Sequence, residues 1–86
     1  MAIITIRYYG MAQDIAGAHV EKTEWIGSLK DLLDNLYKKH PTLNNNKIRI
    51  SYNLRILNQD QLISEGSKII INDGDEIVFL PPFAGG

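Results

Sequence analysis

The residues best placed to do chemistry are Gly85 and Gly86, the last two of the sequence. A glycine whose carboxylate ends the chain presents an acyl group that another protein can activate. Without a Cβ, both residues fit a channel too narrow for any other side chain. Just before them stand Pro81 and Pro82, in the run Leu80-Pro81-Pro82-Phe83-Ala84-Gly85-Gly86. Proline fixes φ and pushes the residue before it out of the helical region. The exit is therefore expected to be extended and held off the domain. A stiff exit followed by a thin carboxyl end suits delivery of the Gly86 carbonyl into the active site of a partner. Pro81, Pro82, Phe83, Ala84 and Gly85 would thread in with it, Phe83 and Ala84 lining the partner's channel.

The other candidate groups read as structure. Asp73, Asp75 and Glu76 cluster, but an Asp-Gly turn explains Asp73 and Gly74 without a metal. His19 and His40 are isolated and are expected at the surface. Cysteine is absent, so disulfide and thiolate chemistry are excluded. No glycine-rich loop leads to a lysine, no dinucleotide fingerprint occurs, and no His or Cys cluster has metal-ligand spacing. The chain is expected to bind no cofactor and no metal of its own.

Size and charge narrow the class further. The 86 residues make one small domain, and 44% apolar content is ordinary for a globular chain. With 9 basic and 10 acidic residues the net charge is −1, which gives no electrostatic footprint for nucleic acid or an anionic membrane. No basic stretch leads into an apolar one near Met1, and the apolar runs are too short to span a bilayer. A cytoplasmic protein is the expectation.

The elements that must position the tail follow from periodicity. Residues 3–9, β-branched and aromatic, predict a first strand with Ile4, Ile6 and Tyr8 on one face. Met11 to Ala16 suits a helical turn closed by Gly17, and His19 to Ile26 a second strand paired with the first. Leu29, Leu32, Leu33, Leu36 and Tyr37 form one helical stripe over residues 29–39, with Ser28 as N-cap and Pro41 forbidding continuation. Residues 47–57 are strand-like, with Asn53 a possible interruption. Asn58 to Gln61 looks like a turn, and Ser67 to Ile71 like a further strand. Asn72-Asp73-Gly74-Asp75 is a strong turn signal before a last strand, Ile77 to Leu80.

This order, β-β-α-β-(β)-β, predicts an α+β fold of the ubiquitin-like β-grasp kind. Four to five strands would form a mixed sheet with one main helix on one face. An SH3-like barrel fits less well, because it has no use for the leucine stripe. The domain would span residues 1–80 and the tail 81–86. Alternation turns Ile6, Tyr8, Ile77 and Phe79 toward the helix. Tyr9, Val78 and Leu80 then face the bare side of the sheet, where large apolar residues mark a partner-docking face.

The closing run Asp73-Gly74-Asp75-Glu76-Ile77-Val78-Phe79-Leu80-Pro81-Pro82-Phe83-Ala84-Gly85-Gly86 closely resembles the end of the MoaD family, the small subunits of molybdopterin synthase. That family belongs to the MoaD/ThiS superfamily of ubiquitin-like sulfur carriers. Ile6-Arg7-Tyr8-Tyr9-Gly10, followed by Met11 to Gly17, resembles the start of the same family. One stretch departs: the segment between the third strand and Asp73 is longer than in the shorter members. Asn58-Gln59 best matches the family's turn after that strand, with Asn53-Leu54 as the other register. The resemblance implies a mechanism in which a ubiquitin-activating-type adenylyltransferase (MoeB-like) adenylates Gly86 with ATP. A sulfur donor then converts it to a thiocarboxylate. The tail next enters the large subunit of the synthase (MoaE-like), where sulfur passes to a pterin precursor of the molybdenum cofactor. The chain would be a non-catalytic donor subunit. Related alternatives are sulfur carriage for thiamin, whose carriers are usually shorter and lack this Pro-Pro, or for tRNA thiolation. From other classes come a ubiquitin-like modifier conjugated through Gly86 and a non-covalent β-grasp interaction module.

Overall fold

The computed structural model describes residues 1–81. Strand β1 (Ala2–Tyr8) runs antiparallel to β2 (Val20–Trp25), and the helix α1 (Met11–Ala16) lies in the connection between them. Gly17 ends α1 in the left-handed region at φ 72°, its N–H donating to the Gln13 carbonyl. The main helix α2 (Leu29–Lys39) has the predicted bounds, and the Ser28 hydroxyl caps it by accepting from the Asp31 N–H at 3.2 Å. A single 3₁₀ turn at Pro41–Leu43 follows where proline ends the helix.

Residues 47–57 fold as a hairpin, β3 (Arg49–Tyr52) and β4 (Arg55–Leu57). Its two-residue turn is Asn53-Leu54, both with positive φ (49° and 71°), the conformation whose twist matches that of the strands. This settles the register at Asn53-Leu54 and against Asn58-Gln59. The predicted turn at Asn58–Gln61 is instead the start of helix α3 (Gln59–Glu65). Asn58 caps it, and the Gln61 side chain reaches back to the Asn58 N–H in a complete capping box. The last strand, β5 (Glu76–Leu80), begins one residue before its predicted start.

Ser67 to Ile71 is not a ladder strand. Among the described residues its only bridge is Ser28 with Ile70, where it ties to the start of α2 through Leu29 N–H to Ile69 O and Ile71 N–H to Gly27 O. The reason is topological. The sheet order is β2-β1-β5-β3-β4, so β5 already has a neighbour on each side. The fifth strand comes from the hairpin, not from residues 67–71. β1 and β5 are parallel and every other pair is antiparallel. This mixed sheet with α2 across one face is the β-grasp arrangement.

The core lies between that face and the helix. Ile4, Ile6 and Tyr8 of β1, Ile77 and Phe79 of β5, Ile50 of β3 and Leu29, Leu32, Leu33 and Leu36 of α2 are all buried in one cluster. The stripe and the alternation expected from the sequence both hold. Trp25 and Tyr37 pack at the edge of the cluster.

Candidate functional site at the exit of the central strand

β5 is the middle strand, and the chain leaves the sheet from its C-terminal end. Hydrogen bonding is kept to the last possible residue. Beyond the Tyr8–Phe79 pair, the Tyr9 N–H still donates to the Phe79 carbonyl at 3.0 Å, and Leu80 is still paired with Arg49. Pro81 has no N–H to offer, so the ladder stops there. Phe79 beneath the exit is fully buried and stacks on Tyr8, ring centroids 5.4 Å apart and planes 9° from parallel. The exit therefore rests on a filled core.

The strand is also anchored where it enters. Asp75 is only 8% exposed, and its carboxylate accepts from the Tyr52 hydroxyl, from the Asn72 N–H at 2.8 Å and from Asn53 Nδ2 at 3.1 Å. Burial pushes this carboxyl up, but the three donated hydrogen bonds outweigh it and hold the group below the usual aspartate range. Burial, and then the bond to Asp75, push the Tyr52 hydroxyl up to about 12. Asn53 closes the arrangement by accepting from the Glu76 N–H at 2.8 Å. Asp73 is occupied separately, accepting from the Ile3 N–H at 2.8 Å. Glu76 is paired with Arg7 at 2.9 Å. The three carboxylates thus have distinct structural partners, which the sequence showed only for the turn.

The side of the sheet away from α2 carries two rows of residues beside the exit. The β1–β5–β3 registers place Arg49, Leu80 and Tyr9 in one row and Ser51, Val78 and Arg7 in the next. Val20 of β2 and Ile56 of β4, both exposed, extend the second row to the sheet's edges. Tyr9 and Leu80 are half-buried on this face. Tyr9 is held by an edge-to-face contact with His19, centroids 5.2 Å apart. Val78 faces the same way and lies outside the core cluster, but is only 8% exposed, flanked across the sheet by Arg7 of β1 and Ser51 of β3. It backs the face rather than presenting area. The Arg7–Glu76 pair was not read from the sequence; its members are 69 residues apart and only the β1–β5 register brings them together. The hydrogen bond to Glu76, and then the charge of that carboxylate, raise the Arg7 guanidinium still further above its ordinary value.

Pro81 begins the tail and is exposed at the exit. The expectations for Pro82, Phe83, Ala84, Gly85 and Gly86 lie outside the described residues. Two shallow cavities of about 180 and 160 Å³ lie elsewhere. One is lined by Lys30, Leu33, Tyr37 and Leu62, between α2 and α3, and the other by Ile48, Leu57 and Asn58. Both are below the usual size of a small-molecule site, roughly 300–1,000 Å³. Among the described residues no helix is long and apolar enough to cross a membrane.

A family model described as the ThiS family matches residues 6–86. No sequence among the curated proteins matches the chain. Several solved structures share the fold. A Pyrococcus furiosus protein described as molybdopterin converting factor subunit 1 superposes with a TM-score of 0.74 at 18% identity, covering 96% of this chain and all of that one. Small archaeal modifier protein 1 of Methanosarcina acetivorans gives 0.70 at 24% identity, covering 100% and 98%. A chain of the BexX/CysO complex of Amycolatopsis orientalis gives 0.62 at 18% identity, covering 96% and 99%.

Proposed function

Because the chain belongs to the ThiS family and is a ubiquitin-like sulfur carrier of the ThiS/MoaD type, we propose that it is the small, sulfur-donating subunit of a molybdopterin synthase. Gly86 is its reactive residue. The observation that carries this reading is the exit itself. The central strand is anchored at both ends and releases the chain at Pro81, beside a sheet face on which Leu80 and Tyr9 remain partly uncovered. The likeness to the Pyrococcus protein supports the choice of pathway.

The chemistry takes place on partner enzymes. A Gly86 carboxylate oxygen attacks the α-phosphorus of ATP in a MoeB-like adenylyltransferase. Pyrophosphate leaves, and the poor electrophile becomes a mixed anhydride. Sulfide-level sulfur from a donor attacks the acyl carbon as HS⁻ and AMP leaves, giving a thiocarboxylate. In a MoaE-like large subunit, this sulfur attacks an electrophilic carbon of the pterin precursor, an oxygen substituent leaves that carbon, and Gly86 is held to the pterin as a thioester. Hydrolysis of the resulting acyl link returns the Gly86 carboxylate. The carrier contributes reach, thinness and a docking face; ATP is bound by the activating partner. The cytoplasm is where these partners would meet it.

Reconstitution tests the pathway. Thiocarboxylated protein, mixed with a molybdopterin synthase large subunit and the cyclic pyranopterin precursor, should yield dithiolene product, and the same chain lacking Gly86 should yield none. Sulfur accepted instead by a thiazole precursor or a tRNA, with no dithiolene, would assign the carrier to another pathway. The likeness to small archaeal modifier protein 1 makes isopeptide-linked lysine adducts the outcome that would favour protein modification.

A further inference from the structure

We infer that Gly10 is a seat for Pro81 that aims the tail, a positioning residue for the activation of Gly86; the inference rests on the carrier reading above. Gly10 has φ 58° and ψ −132°, backbone that residues with a Cβ rarely adopt. A Cβ built there would lie 3.1 Å from Pro81 Cβ, 3.4 Å from Cγ and 3.7 Å from Cδ. The proline ring is therefore set directly against bare backbone, closer than a residue with a Cβ would ordinarily sit.

The corner that forms this seat is fixed on both sides. Before it, the Tyr9 N–H is bonded to the Phe79 carbonyl. After it, the Ala12 N–H donates to Tyr9 O and the Gln13 N–H to Gly10 O, both at 3.1 Å, while Ala12 is buried. A ring resting on such a corner is restricted in how it can sit. Because proline fixes its own φ, and a following proline favours extended ψ at Pro81, the placement of the ring biases the direction in which the chain continues. Gly17 and Gly74 are instructive by contrast. Both have positive φ (72° and 87°), yet a Cβ on either would meet nothing within 4 Å. Turn geometry accounts for those two glycines, whereas Gly10 also makes room for the tail's first residue.

The test follows pyrophosphate release from the full chain with its adenylating enzyme and ATP, with the carrier varied to separate kcat from KM. Gly10→Ala should lower kcat by about five- to thirty-fold, the equivalent of re-ordering one freed residue. KM should change little, because the sheet face still docks. Pro81→Gly, which leaves the corner untouched, should lower kcat similarly. Gly17→Ala introduces a side chain at a left-handed position without obstructing Pro81 and should leave kcat unchanged. A loss of folded carrier would instead raise the apparent KM at constant kcat. Wild-type protein that reacts while Gly10→Ala and Pro81→Gly match its kcat would overturn the seat alone. Wild-type protein that releases no pyrophosphate would overturn the carrier reading, and the delivery role with it.

Discussion

At the scale of single residues, neighbours in β5 have opposite tasks. Phe79 is fully buried against Tyr8, while Leu80 stays half-exposed on the open face. Leu80→Asp should weaken binding to the synthase large subunit by about tenfold or more. Full burial of a leucine is worth about 1.5–3 kcal/mol; part of that remains to be gained here, a desolvated carboxylate costs further, and about 1.4 kcal/mol is tenfold. Titration calorimetry should show this with little change in melting temperature. Phe79→Asp should fail to fold, since truncating a buried phenylalanine alone costs about 3–5 kcal/mol. The reverse pattern would mean that the two faces had been exchanged. Asp75 makes a different prediction. Its folded carboxyl sits below the unfolded value, so its stabilisation is full above the ordinary aspartate pKa of about 3.9 and is lost as pH falls through the folded value. Melting temperatures followed from neutral pH to about pH 2 should fall less steeply for Asp75→Asn than for the wild type. Equal slopes would remove Asp75 from the acid response.

At the scale of elements, legibility depended on whether a signal was local. The α2 stripe, its Ser28 cap and its proline stop are all written within residues 28–41, and the helix has those bounds. The alternation in β1 and β5 likewise identified the buried face correctly. α3 was missed although its capping box is visible as Asn58-x-x-Gln61 before Leu62; the polar run Asn58 to Gln61 simply resembles a turn as well. Ser67 to Ile71 has strand composition, but no position beside β5 is vacant, and composition carries no information about vacancy. The hairpin turn gives this scale its test. Leu54 is 88% exposed at φ 71°, a conformation that costs a residue with a Cβ about 1–2 kcal/mol. Leu54→Gly creates the Asn-Gly pair that such turns favour and should stabilise the domain by about 1 kcal/mol in urea denaturation, after the entropy glycine loses on folding. A destabilised variant would show that Leu54 makes contacts worth more than its strain.

For the whole molecule, the arrangement separates holding from delivering. The core and the Asp75 hydrogen bonds fix the central strand, the face away from α2 is the one proposed to meet a partner, and the chain departs beside it. The Gly-Gly terminus was legible because it is contiguous in sequence. The Arg7–Glu76 pair and the Gly10–Pro81 contact were not, because each joins β1 or the corner after it to β5 or the residue after it, and exists only once the two strands are laid side by side. The claim on which all of this depends is that Gly86 is converted to a thiocarboxylate. It is tested most directly by the intact mass of the full chain after incubation with its adenylating enzyme, ATP and a sulfur source. The account predicts a mass gain equal to the difference between one sulfur atom and one oxygen atom, confined to the C-terminal peptide and absent without ATP. An unchanged mass in a reaction where the same enzyme activates a known carrier would contradict it.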